Sequence, residues 1–379
     1  MHADSAAGSP AMTVLQNKFY NGLTAALAAS PTSFQLSVPA APLPASDAGL
    51  WACLDVLPPK SLTFNRAQPA SPYFAAYAAV VEQLEYAPSL VSVIGSAADT
   101  AWQAYLAGLD PPPSVCQQGP IFRTWAEKNG YSGVAVAGAS NLAGTCLFEG
   151  QQQAVARYQG PNGLAIDFVG GYADLQATLA AAGPAQLAFD SLRTSSDVSR
   201  TWAGGQQLGL QGLWTGLGPL DALSARFAAG RVQVTATLTH YAAWLATPGG
   251  WYSSSLLNAA YSSQSTPPWP VGADPDWTDA FGPTGNLVWF LGSLAVGDGL
   301  HAVVTSTTSF TRTEQATIRA HAAQGMWPFY APSSAVVTNA VSFDAVGHLT
   351  ITTTSAAGNP FVLGGVVLGI AQYLGQAPG

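Results

Sequence analysis

Charge is what this chain has least of. Only 8% of its residues are Asp, Glu, Lys or Arg, against about 25% in an ordinary soluble domain, and only three are lysines, Lys18, Lys60 and Lys128. The formal net charge is −8 and no run of Lys or Arg occurs. A phosphate backbone is held by clustered positive charge, so the sequence argues against a nucleic-acid partner. The surface must be covered by Ser, Thr, Asn, Gln, Gly and Ala instead. Charge keeps proteins apart in a crowded cytoplasm, and its shortage favours an exported, assembled or surface-associated protein.

Cysteine is scarce as well. Cys53, Cys116 and Cys146 form no CxxC and have no His at metal-ligand spacing, so no zinc site is expected. An odd count leaves at least one free thiol in a monomer, and all three are expected to be buried as small apolar side chains. Long apolar runs are missing too. The longest, "PFVLGGVVLGIAQYLG" from Pro360, is broken by glycines and a glutamine and falls short of the ~20 residues that span a bilayer. It reads as a buried strand, and no transmembrane helix is expected. The first thirty residues lack the basic and continuous apolar regions of a secretory signal. They read as a leader of small polar residues followed by a candidate first helix. No P-loop, GxGxxG or HExxH is present, so no nucleotide or other organic cofactor is expected.

What is present divides the chain into blocks. Residues 31–70 are Pro-rich, with strand-like runs such as "SFQLSV" and "LWACLDVL", and read as an extended β segment. From Ser71 the period changes: Phe74, Tyr77, Val81 and Leu84 follow helical spacing behind Pro72. Further helices are expected in "SLVSVIGSAADTAWQAYLAGL", in "GPIFRTWAEKNG" with its Asn129-Gly130 stop, in the Ala/Gln-rich stretch to Arg157, and in "GGYADLQATLAAAGP". Residues 71–184 therefore read as a helical module. Beyond it, "RVQVTATLTHY", "HAVVTSTTSF", "AVVTNAVSFD" and "HLTITTTS" alternate apolar with hydroxyl side chains, the pattern of antiparallel strands with one buried face. A Gly-containing turn in "FDAVGHL" joins two of them. A short helix near 312–324 carries a capping box at Thr311 and Glu314, with Gly325 placed to end it in a left-handed conformation. The expected fold is α+β, with an antiparallel β-sandwich-like domain over 185–379 and the helical module in the N-terminal half.

Candidate chemistry is sparse. Ser140 in "VAVAGASNLAG" meets only part of the nucleophile-elbow pattern, because GxSxG fails at its last position. His240, His301, His321 and His348 fall on different predicted elements, so only the fold could bring them together in an enzyme of hydrolase or lyase type. Paired carboxylates for glycoside hydrolysis are not legible without geometry. Asp274, Asp276 and Asp279 in "GADPDWTDAFG" form an acidic loop that could hold Ca²⁺, although the EF-hand spacing is not met. Aromatics recur in Gly/Pro/Ser surroundings: Trp251 and Tyr252 in "PGGWYSSS", Trp269 in "TPPWPV", and Trp327 and Tyr330 in "QGMWPFYAPSS". These five are candidate ligand-binding residues, for a glycan or for a membrane surface. Trp327 and Phe329 also suit a plug at the end of a sandwich, with Tyr330 nearest water. The function expected is non-enzymatic self-association or surface binding, in the manner of a pore-forming toxin, with homo-oligomers as one form. An enzyme with a site between the helical module and the β domain and an aromatic-lined glycan-binding protein are the alternatives.

Overall fold

The structure, a computed structural model, describes residues 10–40, 42–66, 70–84, 89–203, 212–214, 221–262, 264, 269 and 277–376. In chain order the elements are α1 (Pro10–Ala26), β1 (Phe34–Val38), α2 (Asp47–Leu54), β2 (Thr63–Asn65), α3 (Tyr73–Glu82), α4 (Leu90–Ile94), α5 (Ser96–Ala107), α6 (Val115–Lys128), α7 (Ala135–Ala156) and α8 (Tyr172–Ala181). Then follow β3 (Ala185–Asp190), α9 (Asp221–Ala229), β4 (Val232–Leu245), α10 (Ser254–Ser262), α11 (Trp277–Phe281), β5 (Trp289–Ser309), α12 (Arg312–His321), β6 (Val337–Phe343), β7 (His348–Ser355), β8 (Phe361–Gly369) and α13 (Ile370–Tyr373). The α+β class expected from the sequence holds.

The chain forms two compact units. The first comprises residues 1–72, 168–247 and 289–379, and the second comprises 73–167 and 248–288. The sequence blocks differ from these in two places. Helix α8, assigned to the helical module by its period, belongs to the first unit, and the segment from Pro248 to Val288 belongs with the helices of the second.

In the first unit the strands make one hydrogen-bonded mixed sheet. Strand β5 is its axis. Strand β4 pairs along almost all of its own length with Ser293–Ser306 of β5 on one side. On the other side β7 pairs with His301–Ser309 and β8 with Trp289–Gly297, so β7 and β8 lie end to end along one neighbour. The chain crosses from one to the other at Asp298. Its buried carboxylate accepts hydrogen bonds from the backbone N–H of Gly358 at 2.9 Å and Asn359 at 3.0 Å. Beside it Gly299 takes a positive φ of 64°. Beyond these long strands, β3 pairs with β4 and β6 with β7, while β1 pairs with β8 and β2 runs parallel to β1. One core joins inward residues of β1 (Phe34, Leu36, Val38), β3 (Leu187, Phe189) and β4 (Val232, Val234) with Met12, Leu15, Phe19 and Leu23 of α1. The spacing of those α1 residues puts them on one helical face.

Local signals explain where several expectations hold and where they fail. The box between Thr311 and Glu314 forms, with Thr311 N–H donating to Glu314 Oε2 at 2.8 Å. After α12 the chain tightens into a 3-10 turn, Ala322–Gln324, and Gly325 then takes φ 94°, ψ 127°. That is not the left-handed helical cap expected for it. "LWACLDVL" was expected as a strand, yet most of it lies in α2. Ser46 caps that helix by accepting from Gly49 N–H at 3.1 Å, and a cap outweighs weak β propensity here. Residues 185–379 were expected to hold one short helix, and α9, α10, α11 and α13 also lie there. In α10 the Ser-rich sequence conceals the helical spacing of Leu256, Leu257 and Ala260, all buried.

In the second unit, α4 to α7 enclose a core of Ile94, Ala98, Trp102, Phe122, Trp125 and Leu142. Gly138 lets the helices approach, since a Cβ there would lie 2.2 Å from the Phe122 ring. The cysteine expectation is corrected in this unit. Cys116 and Cys146 form a disulfide between α6 and α7, and only Cys53 is free.

Candidate functional surface

Four of the five aromatic candidates are buried and Tyr252 is half-buried. Trp327 lies in the core of the first unit, 5.1 Å from Phe19, 6.2 Å from Phe189 and 5.7 Å from Phe227 between ring centroids. Its backbone N–H donates to Leu213 O at 2.8 Å. Tyr330, expected nearest water, is fully buried. Its hydroxyl donates to Gly212 O at 2.8 Å and accepts from Gln16 Nε2 at 3.0 Å. Burial raises its pKa far above the ordinary phenol value, the Gln16 bond opposing. The correction has a plain cause: a buried phenol needs hydrogen-bond partners rather than water, and Gln16 and Gly212 provide them from distant parts of the chain.

In the second unit Trp251 is enclosed by Tyr73, Phe74, Tyr77 and Tyr252, and its indole N–H donates to Asp167 O at 2.8 Å. Trp269 donates to Val80 O at 3.0 Å and meets Trp277 edge-on. Trp251 and Trp269 are thus packed inside the unit, while Tyr252 stays half-buried beside Trp251.

The remaining candidates do not assemble. Asp279 sits in the first turn of α11, Asp274 and Asp276 lie outside the described residues, and among the described residues no cluster could hold a metal ion. His240 contacts Ala182 O, His321 stacks on Trp214 at 5.3 Å, His348 pairs with Asp344 at 2.9 Å, and His301 is exposed on β5. Ser140 is an exposed residue in the interior of α7, with no strand-to-helix turn around it. The free thiol of Cys53 has its pKa raised, burial outweighing the nearby Arg66 guanidinium. A cavity beneath Leu23, Leu187, Leu238 and Leu363 is apolar and has only about 10 Å³, far too little for a ligand. A shallow groove of about 430 Å³ in the second unit is lined by Ile94, Gly95, Ala98, Gly130, Tyr131 and Val134, with no carboxylate or histidine.

One surface does stand out, and it is built by register. The outward positions of β3, β4, β5, β7 and β6 align in three rows: Gln186, Thr237, His301, Thr354, Thr338; then Ala188, Thr235, Val303, Thr352, Ala340; then Asp190, Gln233, Thr305, Thr350, Ser342. Their inward neighbours, such as Val234, Ala236, Ala302, Val304 and Ile351, are buried. The β4 and β6 members are exposed, and the three β7 threonines are half-buried between them. Eight hydroxyls stand in the array: Thr235, Thr237, Thr305, Thr338, Ser342, Thr350, Thr352 and Thr354. None has a hydrogen-bond partner among the described residues, whereas Thr24, Thr100, Thr124, Thr145, Thr178 and Thr317 all donate to nearby carbonyls. The alternation of each strand was legible in the sequence, but the rows across strands were not.

No helix among the described residues is long and apolar enough to cross a membrane. No protein-family model, curated protein or solved structure matches this chain.

Proposed function

We propose that the chain is a non-enzymatic surface-binding protein that works through the hydroxyl face of its first unit. The observation that carries this reading is the array of eight unpartnered hydroxyls in three registered rows. Each hydroxyl offers one donor and two acceptor sites. The β-branched threonine side chain is stiff at χ1, so ordering it against a partner costs little entropy. An enzyme of hydrolase or lyase type would draw on converging histidines and carboxylates, whereas here the four histidines stand on separate elements and the His348–Asp344 pair lies at an exposed turn. The Cys116–Cys146 disulfide supports export, because such bonds persist in oxidising compartments.

A second reading, a membrane-active protein of pore-forming type, draws on one feature. Along Val232–Thr239 every second residue is apolar and buried and the others are polar and exposed. That alternation also suits a strand with one face in lipid and one in water. It requires the apolar side of β4 to leave the core around α1.

The test is partition of the wild type and of a Thr237→Arg/Thr305→Arg/Thr352→Arg variant between solution and a panel of surfaces: neutral liposomes, anionic liposomes, and insoluble polysaccharides. Retention on at least one surface, lost in the variant, is the expected result. Equal retention of both proteins on every surface would overturn the reading. Release of an entrapped dye from liposomes would favour the second.

A further inference from the structure

Resting on that reading, we infer that the partner of the hydroxyl face is a neutral, extended polysaccharide. Charge is the first argument. Of the fifteen row positions only Asp190 and His301 are ionisable, and Asp190, at one corner of the array, is engaged by Arg231 at 2.5 Å and Arg193 at 3.7 Å. Apart from that corner and His301 the face is neutral, so most of it would leave the charges of a phosphate, a sulfated chain or a cationic peptide unpaired.

Size and chemistry narrow the choice further. With strands about 4.8 Å apart and alternate residues about 6.7 Å apart, the array covers on the order of 400 Å². That is roughly half of the ~800 Å² per partner that a stable protein interface buries, so a second copy seated on this face alone is disfavoured. The only apolar members are Ala188, Val303 and Ala340, too few to hold lipid chains. What the face does offer is a repeating lattice of neutral donors and acceptors. A chain of linked sugars has the same chemistry, uncharged and dense in hydroxyls, and it repeats along its length. No aromatic ring lies in the rows, so recognition runs through hydrogen bonds without ring stacking. Each contact is accordingly weak, and a single soluble sugar is not held.

The experiment is retention on insoluble neutral polysaccharide, with microcrystalline cellulose, chitin and cross-linked dextran as probes. Wild-type protein is compared with Thr235→Val/Thr305→Val/Thr352→Val, which removes three hydroxyls while keeping the shape and β propensity of the side chains. Thr100→Val on α5 serves as control. The expected result is retention of the wild type on at least one probe, unchanged by salt because no ion pairs contribute. It falls roughly tenfold or more in the triple variant and is unchanged in the control. Circular dichroism confirms that the variants fold. Three outcomes would overturn the inference: no retention on any probe, retention that the triple variant keeps, or retention that salt abolishes. If the wild type instead binds liposomes through the same face, surface binding stands and the polysaccharide assignment falls. If it binds no surface at all, both fall.

Discussion

Gln16 and Tyr330 share one buried hydrogen bond across 314 positions of sequence, Gln16 Nε2 donating to the phenol oxygen at 3.0 Å. The same phenol donates to Gly212 O, so it links α1, the segment at Gly212 to Trp214 and the loop after α12. Tyr330 holds this place with a positive φ of 51°, rare for a residue with a side chain.

Tyr330→Phe keeps the ring but strands the Gly212 carbonyl and the Gln16 amide. It is expected to cost about 1–3 kcal/mol, seen as a lower denaturant midpoint at unchanged slope. In a double-mutant cycle with Gln16→Met the two changes should couple, because Gln16 has nothing left to bond once the phenol is gone. Strict additivity would show that the bond contributes nothing.

The second unit depends on the approach of α6 and α7. A methyl group at Gly138 would meet the Phe122 ring and the Ile94 side chain. Gly138→Ala should therefore destabilise that unit by about 1–3 kcal/mol, while Gly130→Ala meets no such wall and is penalised only through its positive φ of 85°. Separate denaturation monitored by tryptophan fluorescence distinguishes the two.

The Cys116–Cys146 bond closes a loop with a sequence separation of 30. Loop-closure entropy gives it roughly 3–4 kcal/mol of stabilisation. Cys116→Ser/Cys146→Ser should lower the unfolding midpoint of the second unit by a corresponding amount, and added reductant should then change nothing further. In the wild type, reductant should lower the midpoint to that of the variant; a wild-type midpoint that reductant leaves unchanged would contradict the bond's contribution.

The acid limb follows from carboxylates. Asp190 has its pKa lowered, first by the hydrogen bond from Arg231; in Glu314 the lowering comes first from the Thr311 backbone N–H, and in Asp344 from that of His348. A depressed folded pKa contributes stability that is present above the unfolded value, about 3.9 to 4.3, and is lost as pH falls through the folded one. Stability is expected to be level from neutral pH down to about 5 and to decline below about 4. Asp190→Asn should flatten that decline. At the other limb the buried phenols of Tyr20 and Tyr77, with raised pKa values, resist ionisation in the fold. Stability is lost there as pH rises above about 10. Denaturant midpoints across pH check both signs.

How much of this was legible in the sequence depended on distance along the chain. The capping box at Thr311, the helical stop at Asn129, the turn at Gly347 and the strand at Phe361 are local, and each formed. The fate of Trp327 and Tyr330 was not legible, because the partners that bury them, Phe19, Phe189, Phe227, Gln16 and Gly212, come from elsewhere in the sequence. Spacing gave no sign that Cys116 faces Cys146. Period-two alternation in β4, β5 and β7 disclosed a polar face on each strand. Which threonine stands beside which is a matter of register, and register belongs to the assembled sheet.

The central claim is that β3 to β7 present the working face. Single cysteines placed as Thr305→Cys, Thr352→Cys and Ser140→Cys, each in a Cys53→Ser background, can be labelled with a polar thiol reagent in the presence and absence of microcrystalline cellulose or another surface that retains the protein. The account predicts slowed labelling at positions 305 and 352 on the bound surface and unchanged labelling at position 140 on α7. Protection at 140 with free labelling at 305 and 352 would contradict it.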